Sequence, residues 1–217
     1  MDPISTGPVQ RGENITLTAR LDPVDAAQNG SVDFLMGSTV IATVPSSLSS
    51  FSGGKRVYQA IINTANPASS LPVGTTSISA RYNSLGGAYP GVVSASQSVT
   101  VNRQATATTI TPATSQVITY GDPLSFVAGV APTLPEPIAF GTSQILFFDG
   151  SKQLASFPAS DLARSATFPT VTLGAGTHQI SAQFAGDSAN YAPSSSAVVS
   201  LTINKASSTT ALAVSKA

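Results

Sequence analysis

The sequence predicts an all-β protein, two antiparallel β-sandwiches with Greek-key connections in tandem, and three observations predict it. The first is repetition: residues 71–102 align without a gap onto residues 173–204 at an offset of 102, with 12 of the 32 positions identical. A repeat of that length is about the size of one small domain and longer than a solenoid or propeller unit. The second is a hydrophobic period of two almost everywhere. The third is punctuation of the short runs by Gly, Pro, Asn and Ser, with no stretch of twelve residues showing the 3.6 period of a helix. A chain of 217 residues allows one or two domains, and the repeat decides for two. The boundaries read as 1–102 (a diverged copy) and 103–204, with 205–217 the start of a third repeat or an extended tail.

The elements follow in order. In the first unit Ile15, Leu17, Ala19 and Leu21 alternate with Thr16, Thr18 and Arg20, the pattern of a strand with one buried face. Short runs at 32–36, 39–44, 56–62, 75–82 and 94–102 complete it. The second unit repeats the order at 124–130, 144–148, 153–157, 165–171, 177–184 and 197–204. Phe148-Asp149-Gly150-Ser151 is a hairpin signal, matched by Met36-Gly37-Ser38. Residues 102–109 lack Gly and Pro, so the last strand of the first unit is expected to run straight into the first strand of the second. That would give a short, stiff joint and an extended rod. About seven strands per unit favour a sandwich over a barrel.

Composition excludes several functions. Ten basic and ten acidic residues balance without a run of either sign, so clustered cations for nucleic acid are lacking. Charged residues make up only 9% of the chain against a usual level of about 25%. Cysteine is absent, which removes disulfides, thiolate zinc sites and cysteine nucleophiles. No apolar run approaches the ~18 residues of a membrane span, and the first residues carry no secretory signal pattern. Residues 200–217 resemble residues 98–115, the opening of the second unit. The chain is therefore expected to be a fragment of a longer array, with its export signal and anchor elsewhere in the parent.

Gly74-Thr75-Thr76-Ser77-Ile78 and Gly176-Thr177-His178-Gln179-Ile180 sit where immunoglobulin domains enter strand F with a Gly-x-Tyr-x-Cys pattern, Ile78 and Ile180 taking the cysteine position. Three motifs, Ile145-Leu146-Phe147-Phe148-Asp149-Gly150, Leu173-Gly174-Ala175-Gly176-Thr177-His178 and Phe184-Ala185-Gly186-Asp187-Ser188-Ala189-Asn190-Tyr191, resemble the bacterial immunoglobulin-like domains of group 3. That family reads with a TFYDG hairpin, an L-x-A-G-T-H entry to strand F and a Y-x-G-D turn. The second unit matches closely. The first departs from it with Leu35-Met36-Gly37 at the hairpin, Thr76 for the histidine and residues 83–88 at the turn. The resemblance implies a non-catalytic extracellular module, a spacer or adhesion element of a larger bacterial surface or secreted protein.

No residue pattern identifies a catalytic or cofactor site, and no cofactor is expected. His178, the only histidine, shares the parity of Ile180, Ala182 and Phe184 and stands where the corner tyrosine would; the bland reading is a ring bonded to a nearby backbone carbonyl. Asp187 and Asn190 could offer oxygens to Ca²⁺, which needs six to eight, if Asp149 or Asp161 folded nearby; both also serve as turn residues. No G-x-S-x-G or P-loop occurs. Tyr89 and Tyr191 are equivalent across the repeat, which favours core packing. Asn14-Ile15-Thr16 and Asn29-Gly30-Ser31 fit the glycosylation pattern, as chance allows in so Ser/Thr-rich a chain.

The expectation is thus a monomeric, non-enzymatic, cell-surface or secreted module with an unknown protein or glycan partner, neighbouring repeats in the parent chain, no nucleic acid and no membrane insertion. The alternative is a carbohydrate- or matrix-binding accessory to a polysaccharide-acting enzyme. That alternative needs an exposed aromatic cluster from Phe51, Tyr58, Tyr120 and Phe140.

Overall fold

A computed structural model describes residues 7–22, 29–66, 71–85, 91–132, 143–159 and 164–214. Contacts divide the chain into two compact units with the break between Ala105 and Thr106, Ser188–Tyr191 counting with the first. Tyr89, Phe140, Asp161 and most of the 83–88 turn lie outside the described residues.

The first unit comprises β1 (Val9–Gln10), β2 (Asn14–Leu21), β3 (Gly30–Met36), β4 (Thr39–Pro45), β5 (Ser50–Ser52), β6 (Lys55–Asn63), β7 (Gly74–Ser84) and β8 (Gln97–Asn102). One sheet runs β1-β8-β7-β3-β4 and the other β2-β6-β5. Their inner faces share one core. Ile15, Leu17, Ala19, Tyr58 and Ile62 from the smaller sheet meet Val32, Phe34, Ile78, Ala80, Tyr82, Val99 and Val101 from the larger. The alternation in β2 is the cause: its apolar residues all point one way, and only a facing sheet removes them from water.

The second unit comprises β9 (Thr106–Thr111), β10 (Gln116–Thr119), β11 (Ser125–Pro132), β12 (Ser143–Asp149), β13 (Lys152–Ala159), β14 (Ser165–Pro169), β15 (Gly176–Phe184), β16 (Ser194–Ser195) and β17 (Val199–Asn204). Its sheets run β10-β17-β15-β12-β13, with β16 on β15, and β14-β11-β9. Phe147 is fully buried, stacked on Phe168 at 5.6 Å and edge-on to Phe157 at 6.0 Å. Ile78 and Ile180 are both fully buried, so the cysteine position of each unit is filled by aliphatic packing.

The two hairpins confirm a shared plan in detail. β3–β4 and β12–β13 each close on two residues, with Gly37 at φ 60° and Gly150 at φ 57°, a conformation glycine adopts without steric cost. Each also carries a register shift at the matching place, Phe34/Leu35 and Phe147/Phe148. Helix is confined to two 3₁₀ turns, Ser46–Leu48 and Thr170–Thr172.

Three expectations need adjusting. β8 ends at Asn102 and β9 starts at Thr106, so residues 103–105 interrupt what was expected as one strand. β1 and β10 were not foreseen; each pairs parallel with the last strand of its unit. Pro112, without an N–H, lies between β9 and β10, where the chain leaves one sheet for the other. Residues 205–214, resembling a strand opening, lie outside any strand.

Candidate functional site

His178 is the natural starting point for any chemistry. Gly176 at φ 147° begins β15, a backbone angle that favours glycine, and His178 follows at the rim of the inward-facing row. Its ring is half-buried. Nδ1 lies 2.7 Å from Asp149 Oδ2 and Nε2 lies 3.0 Å from the Gly174 carbonyl. The other Asp149 oxygen accepts the Gln179 N–H at 2.8 Å, and Gly150 N–H donates to the Gln179 carbonyl. The carboxylate at the end of β12 thus ties the hairpin to the start of β15.

Both ring nitrogens face acceptors, so both must donate, which only the imidazolium can do. Burial alone would pull the His178 pKa down, but the Asp149 carboxylate and the Gly174 carbonyl outweigh it and raise it above 6.5. For Asp149 burial pushes upward, while the bonds from His178 and the Gln179 N–H bring its pKa below 3.8. An Asp–His pair would be two parts of a nucleophilic triad. Here Nε2 bonds a carbonyl, which has no proton to surrender, so the ring has no nucleophile to activate.

A second polar centre lies in the first unit. Asp33 of β3 is buried beside its cross-strand partner Arg81 of β7. Arg81 Nη2 donates to Asp33 Oδ2 at 2.8 Å, Asn83 Nδ2 to the same oxygen at 2.7 Å, and Thr43 Oγ1 to Oδ1 at 2.7 Å. Burial would raise the Asp33 pKa, but these donors overcome it and lower it. The four groups satisfy one another, as a buried charge requires.

The calcium candidates do not converge. Asp187 is half-buried, and Asn190 Oδ1 accepts the Arg11 guanidinium at 2.8 Å, a cation where a metal would need an empty lone pair. Asp149 is turned to His178. Among the described residues no three His, Asp or Glu side chains are grouped to hold a metal.

Nor do the aromatics gather. Tyr58 is fully buried, while Phe51, 60% exposed under the Arg56 guanidinium, belongs to the first unit and Tyr120, 53% exposed, to the second. Tyr120 borders a cleft of about 100 Å³, below the several hundred of a typical ligand pocket. Tyr191 is fully buried.

Against this geometry the family comparison is decisive. The model for the bacterial Ig-like domain (group 3) matches residues 3–102 and again residues 108–204. The chain belongs to that family. Its two matches cover both sandwiches, including the first, whose hairpin and strand-F entry depart most from the pattern. No curated protein matches. Among solved structures, the fibronectin(III)-like modules of Clostridium thermocellum CbhA share 19% identity over 93% of each chain, with a TM-score of 0.36. A 1.5-MDa bacterial ice-binding adhesin shares 11% identity over 94% of this chain and 63% of that one, at 0.31. The ICAM-5 D1-D4 ectodomain fragment shares 15% over 93% and 53%, at 0.44. No helix among the described residues is long and apolar enough to cross a membrane.

Proposed function

We propose that this chain is a non-catalytic spacer or adhesion module of a larger bacterial surface or secreted protein, acting outside the cell beside further repeats. The observation that carries this reading is how the chemistry is used. Outside the turns, the titratable groups with displaced pKa values, Asp33, Asp149 and His178, are bonded to neighbours that hold strands together. The exposed aromatics Phe51 and Tyr120 sit in different units and form no stacking platform. Tandem domains of this family supply reach and a folded surface at modest cost in charged residues.

The test replaces residues 1–204 in the parent protein with two unrelated sandwiches of equal length. Retained surface display and attachment is the expected result for a spacer. Attachment lost while display persists would assign the adhesive contact to these two units. Retention of the isolated chain on insoluble glycans would sink the reading in favour of a carbohydrate-binding accessory.

A further inference from the structure

In the second unit the edge of β11 is covered by β9, antiparallel, with Ile110 opposite Ala128 and Thr108 opposite Val130. Ile110 is buried, and Thr108 Oγ1 bonds the Ser194 hydroxyl at 2.7 Å. β2 is the equivalent of β11: Leu17, Ala19 and Leu21 match Phe126, Ala128 and Val130. Yet β2 pairs only with β6, and no strand among the described residues lies on its other side.

A cavity of about 300 Å³ lies along that same edge, lined by Ala19, Leu21, Val32, Ala80, Tyr82 and Ser94 among others. Their counterparts in the second unit are Ala128, Val130, Ile145, Ala182, Phe184 and Ser196, the walls against which β9 packs. The equivalence is close: Ala80 N–H donates to Ser94 Oγ and Ala182 N–H to Ser196 Oγ, each at 2.9 Å. The first unit therefore has a slot shaped for a strand and a gap where that strand's inward side chains would go.

The chain also carries a strand of the right sequence. Residues 205–212 (KASSTTAL) follow β17 as residues 103–110 (RQATATTI) follow β8, placing Thr210 at the position of Thr108 and Leu212 at that of Ile110. This segment lies outside any strand, and Leu212 is 90% exposed. It has no place on its own unit, where β9 already occupies β11.

We propose that the outer edge of β2 and its cavity form a docking slot for residues 206–213 of a second copy of this chain. The segment enters antiparallel in the register that β9 has on β11, with Leu212 opposite Ala19, Thr210 opposite Leu21 and Ala213 opposite Thr18. Main-chain hydrogen bonds supply pairing, and burial of Leu212 supplies the anchor. The contact joins different surfaces of the two copies, so it propagates head to tail in place of the monomer expected from sequence.

Sedimentation velocity over a range of concentrations tests this on the full chain, on Leu212→Asp and on the chain ended at Asn204. The expected result is a mass that rises with concentration for the full chain and stays monomeric for both variants. A fluorescent peptide of residues 205–217 should bind the chain ended at Asn204, at least tenfold more weakly when it carries Leu212→Asp. Because the chain has no cysteine, a Thr18→Cys chain mixed with an Ala213→Cys chain should form a mixed disulfide on mild oxidation. A full chain that stays monomeric throughout, association that survives removal of the tail, or a peptide indifferent to Leu212→Asp would each overturn the proposal.

Discussion

The two sandwiches solve one problem in two ways. Each places a carboxylate on the strand before the hairpin and faces it with a cation on the neighbouring strand, β3 with β7 and β12 with β15. The rung differs. Asp33 sits mid-strand, directly opposite Arg81, where the second unit has Leu146 opposite Gln183. Asp149 sits at the hairpin end beside His178, where the first unit has Met36 and Thr76. The inward-facing rows show the same freedom within a fixed frame: Leu17 opposite Ala60 and Ala19 opposite Tyr58 become Phe126 opposite Phe168 and Ala128 opposite Ala166. The ring moves one rung along the strand and the neighbours adjust. Total volume and strand order are held, while the polar clamp is free to move.

The largest effect should come from that displaced ring. Phe168→Ala removes a buried ring stacked on Phe147 and is expected to cost the second unit about 3–5 kcal/mol. Tyr58→Ala should cost the first unit a similar amount. Hydrogen exchange resolved by strand would show the loss confined to the mutated unit. Equal loss in both units would mean that they do not carry separate cores.

Next comes the mid-strand clamp. Arg81→Gln leaves the buried Asp33 carboxylate without its cation and should destabilise the first unit by about 1–3 kcal/mol. Asp33→Leu together with Arg81→Gln installs the pair that the second unit has at these rungs. A buried ion pair replaced as a whole by apolar packing is often neutral, so the double variant should lie within about 1 kcal/mol of the parent in denaturant unfolding. If it is worse than Arg81→Gln alone, the two units are not interchangeable at this rung.

Much of this frame was legible in the sequence. Ile15, Leu17 and Ala19, or Ile180, Ala182 and Phe184, announce their buried face by alternation, and Gly37 and Gly150 announce their turns. The pairing of His178 with Asp149 was not, because 29 residues separate them. They meet only because β12 and β15, not consecutive in the chain, are neighbours in the sheet. One signal was available: the first unit lacks both partners at once, Met36 and Thr76 standing in their places. β1 and β10 were missed because two to four residues on a parallel edge carry too little alternation to be read.

The His178 clamp should give the second unit a pH dependence that the first lacks. A raised imidazole pKa contributes stability in full below the ordinary value of 6.5 and loses it as pH climbs through the folded-state value. The lowered Asp149 carboxyl contributes above 3.8 and loses it as pH falls through its folded value. The pair therefore acts fully between those ordinary values. As the only histidine, His178 gives a single imidazole signal by NMR. It should titrate above 6.5, fall toward or below that value in Asp149→Asn, and cost about 1 kcal/mol at pH 6. A titration that Asp149→Asn does not move would show the two groups to be uncoupled.

The smallest effect is the sharpest comparison. Met36→Asp with Thr76→His places the clamp in the first unit, on the same rungs, and Pro72 there stands where Gly174 presents its carbonyl. If strand geometry alone makes the clamp, the double variant should gain a few tenths of a kcal/mol at pH 6 over pH 8, and its new imidazole should titrate above 6.5. Either single variant should show neither. The interaction between the two substitutions, measured as a double-mutant cycle at both pH values, isolates the pair from each residue's own cost. A cycle that closes to zero at pH 6 would mean that the second unit's clamp depends on the Leu173-Gly174-Ala175-Gly176 loop to deliver its carbonyl. The loop, not the strands, would then be the element that distinguishes the two copies.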